Sequence, residues 1–295
     1  MRKKILVLVA VLAITFGVIC SVGCSGTNSS SETSETNSTS ETSEANTAES
    51  KYDNAVALMD KGEYAEAYAA FCELDDYKNS VEQSEICKSL LYKDAEVGDY
   101  VFYGSYEQDN NTANGNEDIE WLVLAKEDNS ILVTSKYALD CKQYNTNTEA
   151  VTWETCSLRA WLNGDFYNEA FSAEQQASIA ETTVTADNNP NYNTDPGNDT
   201  LDKIFLLSIS EAEKYFATDE DRKCVPTDYT IAQGAYTSSK YQVGDKATCS
   251  WWLRSPGRSV DSAVPVPGGG SVFYIGGYVY IDYITVRPAM WITLN

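Results

Sequence analysis

The carboxy-terminal part of the chain holds the side chains best suited to contact a ligand. Between Gly257 and Val286, tyrosines are interspersed with glycines and small polar residues, a composition too polar for ordinary core. Tyrosine supplies a large contact area at low entropic cost and carries a hydroxyl, so binding surfaces favour it. The sequence therefore predicts a recognition surface here. Its candidate ligand-binding residues are Arg258, Ser259, Asp261, Phe273, Tyr274, Ile275, Tyr278, Tyr280, Asp282, Tyr283 and Ile284.

The composition argues against an enzyme. The sequence contains no histidine, which excludes Ser-His-Asp and Cys-His catalytic arrangements and zinc sites with histidine ligands. Carboxylates, lysine, tyrosine and cysteine could still do chemistry, but no spacing among them singles out a catalytic set. We therefore expect a binding protein with no catalytic residues, no metal-ligand set and no cofactor.

The cysteines suggest disulfides rather than a metal site. None lies in a C-x-x-C pair, so structural zinc has little support. Fifteen residues separate Cys72 from Cys87, and the same number separates Cys141 from Cys156. We predict these two pairs as disulfides, each stabilising the fold by about 3 kcal/mol. A third pairing, Cys224 with Cys249, is less favoured, and we interpret these two residues as small buried thiols.

The amino terminus predicts export. Three basic residues precede an apolar run over residues 5–19, followed by Ser21-Val22-Gly23-Cys24, which together are typical of a secretory signal over residues 1–23. The last three of these residues resemble the lipobox of bacterial lipoproteins, although Ser21 replaces the usual leucine. The resemblance implies cleavage before Cys24 and lipidation of its thiol. We expect a protein on the extracellular face of the cell membrane, held there by the lipid alone.

Residues 24–50 are predicted to form a disordered tether, because residues 25–50 are small and polar and contain no aromatic or large aliphatic side chain.

The full chain carries 21 basic and 44 acidic residues, a net charge of −23. Such a surface repels phosphate backbones, so we expect no nucleic-acid partner.

Residues 51–95 have the apolar spacing of helices. Their sequence is similar to a tetratricopeptide helical hairpin, and Ser80 to Gln83 match a capping box that would begin a further helix. A single repeat cannot bury its faces alone. We therefore expect this hairpin to lean on the next domain or on a partner, as a spacer rather than a peptide-binding module.

Residues 96–295 predict an α+β domain, with helices in the first half and hairpins in the second. Helices are expected after Thr155, Ser172 and Ser208, and a buried strand over Ile204–Leu207. Later strands are predicted at Trp251–Leu253, Ala263–Val266, Ser271–Ile275, Tyr278–Ile281 and Val286–Ile292. Because alternate residues of a strand face opposite sides, Val272, Val279 and Val286 should face inward and Tyr278 and Tyr280 outward.

Four motifs carry a resemblance over residues 97–295. They are Ile119–Leu124, Val151–Asn163, Trp251–Gly257 and Val286–Ala289. In this order they resemble a bacterial domain family of unknown function that recurs in surface lipoproteins of Gram-positive gut bacteria. Its carboxy-terminal half is similar to C-type-lectin-like folds, including formylglycine-generating-type proteins. Some members resemble targets of diversity-generating retroelements, which implies a scaffold whose carboxy-terminal surface is diversified.

The resemblance also implies a fold whose first and last strands pair, with Trp121 and Val123 near Val286 and Ile292. Five tryptophans would then belong to the core, and two arginines would be held structurally by acidic or carbonyl partners. These residues are Trp121, Trp153, Trp161, Trp252, Trp291, Arg254 and Arg287.

The class of ligand stays open among an extracellular protein, a peptide and a glycan. One alternative is a calcium-dependent lectin, since Asp187–Asn191 and Asn193–Asp199 offer the oxygen ligands that calcium prefers. Asp109–Glu120 resembles an EF-hand loop in composition alone. A second alternative is an oxidase of the formylglycine-generating type, which would need Cys224 and Cys249 as a copper-binding pair.

Overall fold

In a computed structural model of the protein, residues 38–294 are described, with side chains from residue 47 onward. The predicted signal peptide (1–23) and the lipidation site Cys24 lie outside the described residues. Within the described part, no helix is both long and apolar enough to cross a membrane.

The fold is mixed α+β. Its α-helices are α1 Ser38–Asp60, α2 Tyr64–Cys72, α3 Ser80–Lys93, α4 Ser157–Trp161, α5 Tyr167–Ala170, α6 Ala173–Ser178, α7 Ile209–Tyr215, α8 Asp219–Arg222 and α9 Asp228–Ala232.

A short 3₁₀ turn at Trp153–Thr155 precedes α4, and a π-helical turn at Leu162–Phe166 joins α4 to α5. The strands are β1 Tyr100–Tyr106, β2 Glu117–Glu127, β3 Ser130–Ser135, β4 Asp140–Cys141, β5 Thr182–Val184, β6 Thr200–Asp202, β7 Thr237–Val243, β8 Lys246–Cys249, β9 Trp251–Pro256, β10 Ser262–Val266, β11 Gly277–Tyr278, β12 Thr285–Val286 and β13 Ala289–Thr293.

The amino-terminal helices form a small hairpin with its own apolar cluster around Ala55, Ala67 and Phe71. The hairpin leans on the following sheet, as the sequence predicts for a single repeat. The Tyr68 hydroxyl donates a hydrogen bond to Asp118 at 2.7 Å, and the Tyr92 hydroxyl donates one to the backbone of Thr293 at 2.5 Å. The hairpin therefore contacts both β2 and β13 of the same sheet.

Two predictions for this region need correction. Helix α1 begins at Ser38, so residues 38–50 of the predicted tether are helical. The extension is stabilised from outside the helix, because Glu49 accepts hydrogen bonds from Tyr77 at 2.7 Å and Lys78 at 2.6 Å. The predicted capping box at Ser80 is also wrong. The residue before α3 is Asn79, no side chain caps the helix, and the Ser80 hydroxyl donates back to the carbonyl of Tyr77.

The first sheet has the strand order β1-β2-β3-β13 and is antiparallel throughout. Trp121 and Val123 point into the core from β2, as the alternating apolar pattern requires. The final strand pairs with β3, Ile292 opposite Ile131, and not with β1. The implied pairing of first and last strands is therefore corrected: they belong to one sheet, with β2 and β3 between them.

The second sheet has the order β11-β10-β9-β12-β4. Its centre, β9, is buried along its whole length, which explains the continuous apolar run at Trp251–Leu253. The predicted strand over Val286–Ile292 is broken at Arg287-Pro288, because proline cannot donate to a ladder, and its two halves enter different sheets. Ile204–Leu207 is buried as expected, but only Phe205 forms a bridge, with Ala289.

Buried aromatic residues dominate the core between the sheets. Two buried indole N–H groups donate to backbone carbonyls, Trp121 to Tyr103 at 2.7 Å and Trp252 to Lys142 at 3.0 Å, so burial leaves no unpaired donor on either ring. Trp153 is buried as well. Trp161 and Trp291 are only partly buried, and Trp251, not singled out from the sequence, is fully buried.

Candidate functional site

The segment between β10 and β12 is held as a series of turns. The predicted strands at Ser271–Ile275 and Tyr278–Ile281 are not formed, apart from Tyr278, the second residue of β11. Main-chain hydrogen bonds fix the turns instead: Gly276 N–H to Phe273 at 2.8 Å, Ile281 N–H to Tyr278 at 3.0 Å, and Val279 N–H to Asp261 at 3.0 Å. Glycine suits position 276 because its φ is +83°.

The predicted alternation of side chains survives although the strand does not. Val279 is fully buried, whereas Tyr278 and Tyr280 are 49% and 40% exposed. Their two rings stack against each other on the solvent side, with centroids 5.3 Å apart. The sequence thus located the exposed tyrosines correctly, and Val286 is buried as predicted while Val272 is partly buried.

A second aromatic pair joins Tyr283 to Tyr236. Their rings meet edge to face at 6.3 Å, the Tyr236 N–H donates to the Tyr283 carbonyl at 3.2 Å, and the side chains are 48% and 63% exposed. We call Tyr236, Tyr278, Tyr280 and Tyr283 the aromatic face. Sequence reasoning missed Tyr236 because it follows helix α9, far along the chain from the other three, and nothing local marks it.

A groove of about 700 Å³ adjoins the aromatic face. Asp282 lies in its wall, and Gln143, another wall residue, donates to the Tyr280 carbonyl at 2.7 Å. The partly buried Trp161 ring lies in the groove with the Lys142 ammonium 4.5 Å from its centroid. Trp161 was expected in the core, so this is a correction: the ring offers a contact surface with a cation beside it.

The other predicted ligand-binding residues have structural contacts of their own. Ser259 donates to the carboxylate of Asp261 at 2.5 Å, which shapes the turn before β10. The N–H of the exposed Arg258 donates to the carbonyl of Ile275 at 2.9 Å. The hydroxyl of Tyr274 donates to Glu213, and this bond, together with burial, raises the pKa of Tyr274 to about 12. Tyr274 is therefore tied to α7 and only partly exposed.

Phe273, at 43% exposure, and Ile275, at 41%, stand open to solvent. Ile284 is buried and belongs to the core. Of the predicted binding residues, the structure therefore places Asp282 in the groove wall and exposes Tyr278, Tyr280 and Tyr283 on the adjoining segment.

The cysteine pairs predicted as disulfides are free thiols in the structure. Cys141 lies in the groove wall, where its thiol donates to the Asp282 carbonyl at 3.2 Å. The Cys156 sulfur instead accepts from the Arg159 N–H at 3.3 Å, at the start of α4. Burial raises the pKa of both thiols to about 12. Equal spacing in sequence therefore did not correspond to pairing in space. Cys72 and Cys87 are likewise unbonded, one exposed and one buried.

Within the described residues, one group of carboxylates has the spacing of a cation site. Oxygen atoms of Glu107, Asp109 and Glu117 lie within 4.8 Å of one another. Loop N–H groups already donate to these oxygens: Gln108 to Glu117 at 2.7 Å and Asn111 to Glu107 at 2.9 Å.

In the loop Asp187–Asn191, which was predicted to offer calcium ligands, the side chains instead form hydrogen bonds within the protein. Asp187 accepts from the hydroxyls of Ser208 at 3.1 Å and Ser210 at 2.7 Å. The buried Asn189 amide donates to the carbonyls of Pro256 at 2.9 Å and Tyr274 at 2.8 Å. These contacts hold the loop to α7 and to the start of the tyrosine-rich segment.

The arginines flanking this region are structural, as expected. Arg254 is buried, pairs with Glu211 and donates to the Leu206 carbonyl at 2.8 Å. Arg287 donates to the Ser135 carbonyl at 2.9 Å and lies against the rings of Phe216 and Trp251.

Comparison with protein families identifies residues 128–294 as a domain of unknown function, DUF6273. The chain belongs to this family. The DUF6273 match covers β3 to β13 and so includes the aromatic face and the groove. No curated protein and no solved structure matched the chain.

Proposed function

We propose that the DUF6273 domain binds an external ligand, a protein, a peptide or a glycan, through the aromatic face and the adjoining groove. The observation that carries the proposal is two pairs of exposed, contacting tyrosine rings on segments that adjoin a 700 Å³ groove. Exposed aromatic clusters of this kind mark interaction sites, because desolvating them on binding is favourable.

The frame around these tyrosines supports recognition. Main-chain hydrogen bonds hold the turns that carry Tyr278 and Tyr280, and the buried Val279 fixes the segment to the core. A preordered surface loses less entropy on binding than a mobile one. The groove adds polar partners, among them Gln143, Asp282 and the Lys142 ammonium, which would orient a ligand that stacks on the aromatic face.

An array of glycans and extracellular proteins, probed with the chain from Cys24 onward, tests this proposal. The matched variant replaces all four tyrosines of the aromatic face with alanine. The control is Tyr100→Ala, which removes a ring of similar exposure, 41%, from β1 of the other sheet. Ligands that bind the wild type and the control but not the fourfold variant support the proposal. Equal binding to all three would place recognition elsewhere.

The proposal includes the location of the protein. The lipobox-like residues before Cys24 and their basic and apolar flanks support anchoring at the extracellular face of the membrane. Metabolic labelling with a fatty acid should mark the wild type and leave Cys24→Ser unlabelled. Label retained by the variant would exclude Cys24 as the attachment site.

Diversification of the tyrosine-rich segment is a further part of the proposal, supported by the resemblance of the motifs. Its test lies in the DNA: a near-repeat of the 3′ end that differs at adenines, beside a reverse transcriptase gene. A locus without either would remove this part and leave ligand binding intact.

A calcium-dependent lectin is a second candidate, favoured by the carboxylates of Glu107, Asp109 and Glu117. Calorimetric unfolding with calcium and with chelator tests it. A higher melting temperature with calcium, lost in Glu117→Gln, supports a calcium site. Identical melting temperatures exclude it.

The oxidase alternative requires a copper-binding cysteine pair that a substrate can reach. Cys224 and Cys249 lie opposite each other, but each is only 1% exposed, so ligand binding is the function that the geometry supports better. Titration of the reduced protein with Cu(I) tests the alternative, and binding lost in Cys224→Ser would revive it.

A further inference from the structure

Cys224 and Cys249 are brought together by the fold. They face each other as an antiparallel bridge, and the Cys249 N–H donates to the Cys224 carbonyl at 2.9 Å. Residues opposed in this way have Cα atoms about 5.5 Å apart, inside the range of about 4.4–6.8 Å that a disulfide requires. The Cys249 thiol also donates to the Cys224 carbonyl at 3.5 Å, so its sulfur lies beside the Cys224 backbone.

A buried cation lies near this pair, because Arg287 donates to the Ser135 carbonyl and the Cys224 thiol donates to the carbonyl of the next residue, Lys136, at 3.8 Å. Arg287 is 3% exposed, and within the described residues no ion pair joins it to a carboxylate and its Nη1 has no hydrogen-bond partner. An uncompensated charge in the interior is unfavourable, so the site favours a neighbouring anion. Burial alone would raise the pKa of Cys224, but the Cys249 thiol and the Arg287 cation outweigh it and lower that pKa. Burial and the charge on Cys224 raise the pKa of Cys249.

A surface cavity reaches the residues next to Cys224. A cavity of about 260 Å³ is lined by Arg287 and by Lys223 and Val225, the residues on either side of Cys224. Cys224 itself is only 1% exposed, so an oxidant reaches its sulfur when this segment opens locally. Cys249 is the last residue of β8 and is equally buried.

We propose that Cys224 and Cys249 are a redox pair that closes to an intramolecular disulfide, with Arg287 as the positioning residue that holds Cys224 as the thiolate. The oxidant is an external disulfide, either low-molecular-weight or carried by a thiol oxidoreductase. The Cys224 thiolate attacks one of its sulfurs and releases one thiolate. That thiolate takes the Cys249 proton, and the Cys249 sulfur then displaces the second thiolate. Two protein thiols lose two electrons, and the external disulfide becomes two thiols.

Closure would constrain the segment between the two cysteines. Residues 225–248 include helix α9, the groove residue Gln233 and Tyr236 of the aromatic face. A disulfide around a loop of this length raises the melting temperature of a domain of this size by roughly 10 °C. The disulfide would thus restrict the movement of Tyr236 in the aromatic face. Its formation does not depend on the binding of any ligand.

Peptide mapping of the full chain under non-reducing conditions, after oxidised or reduced glutathione and alkylation, tests the pairing. The oxidised wild type should yield one peptide pair joined through Cys224 and Cys249, with the other four described cysteines alkylated. Links between other cysteines, or alkylation of all six, would overturn the proposal. This measurement needs no variant, so it stands even if a substitution prevents folding.

Single substitutions test the assigned roles. Cys249→Ser should trap a mixed disulfide of glutathione on Cys224, and Cys224→Ser should form at least tenfold less adduct on Cys249. Arg287→Met should slow closure at neutral pH about tenfold while leaving the rate at high pH nearly unchanged, because at high pH no cation is needed to form the thiolate. Equal adducts on both cysteines would contradict Cys224 as the attacking thiolate. Equal slowing at every pH would contradict the role of Arg287.

Discussion

Tyr278 and Tyr280 stack with ring planes only 13° apart, although both rings are open to solvent. The buried Val279 between them forces both side chains to the same side of the chain. The stack is therefore present before any ligand arrives, and a flat ligand surface could extend it without reordering the rings.

The double substitution Tyr278→Ala/Tyr280→Ala should weaken ligand binding about thirtyfold, because two central aromatic contacts of an interface typically contribute about 2 kcal/mol or more. The free energy of unfolding should fall by less than about 1.5 kcal/mol, since only one exposed ring contact is lost. Titration against a ligand from the array, beside urea unfolding, measures both. A loss of stability that exceeds the loss of binding free energy would make these rings structural.

Gly270→Ala should destabilise the domain by about 3 kcal/mol or more. Gly270 has a φ of +85°, and a Cβ there would overlap the carbonyl of Asp219, so both strain and steric overlap oppose a side chain. Gly244→Ala is the matched control, since it has a φ of +61° with nothing near its Cβ position. It should lower the free energy of unfolding by about 1 kcal/mol. Denaturant midpoints that coincide would show that the backbone at Gly270 relaxes freely.

Arg254→Met should lower the free energy of unfolding by about 3 kcal/mol, because it leaves Glu211 without its ion pair and removes a donor to the Leu206 carbonyl. Lys51→Ala, which breaks an exposed pair with Glu73, should change it by less than about 0.5 kcal/mol. Chemical unfolding monitored by tryptophan fluorescence compares the two. A small effect of Arg254→Met would mean that the buried pair can be replaced by apolar packing.

The decrease in the free energy of unfolding at acid pH should depend on Asp187. Partial burial opposes its ionisation, but the hydroxyls of Ser210 and Ser208 bind the carboxylate, and the net effect lowers its pKa below the ordinary 3.8. A lowered pKa adds stability that is present above pH 3.8 and is lost as the pH falls through the lower folded-state value.

Asp187→Asn should therefore be less stable than the wild type at neutral pH, and the difference should shrink as the pH falls below the ordinary pKa. Asp195→Asn makes the same change of charge in the same loop and serves as the control. Urea unfolding at a series of pH values measures both. A difference that stays constant down to strongly acidic pH would exclude the ionised Asp187 as its cause.

Local signals in the sequence predicted local structure well. The capping boxes at Ser172 and Ser208 form as expected, each with its glutamine or glutamate partner, because both hydrogen bonds lie within one helical turn. The exposure of Tyr278 and Tyr280 also followed from neighbouring residues alone. These features depend on a few consecutive side chains, which a sequence displays directly.

Long-range relationships could not be predicted in the same way. Tyr236 meets Tyr283 only because β7 and β8 return the chain to the second sheet, and Cys224 meets Cys249 across a bridge that no spacing rule indicates. Conversely, the regular spacing of Cys141 and Cys156 led to a pairing that the fold does not make. Trp161 was assigned to the core by residue type, whereas its position beside Lys142 makes it part of a groove wall.

The turns that carry the tyrosines are fastened through the backbone, by bonds such as that between Val279 N–H and the Asp261 carbonyl. Amide groups are the same in every residue, so the shape of these turns does not require any particular side chain at positions 278, 280 or 283. A library randomised at those three codons should yield mostly folded proteins, each with a different specificity. The groups that stabilise these turns thus differ from the side chains that would set binding specificity, which is what a scaffold for selecting new binders requires.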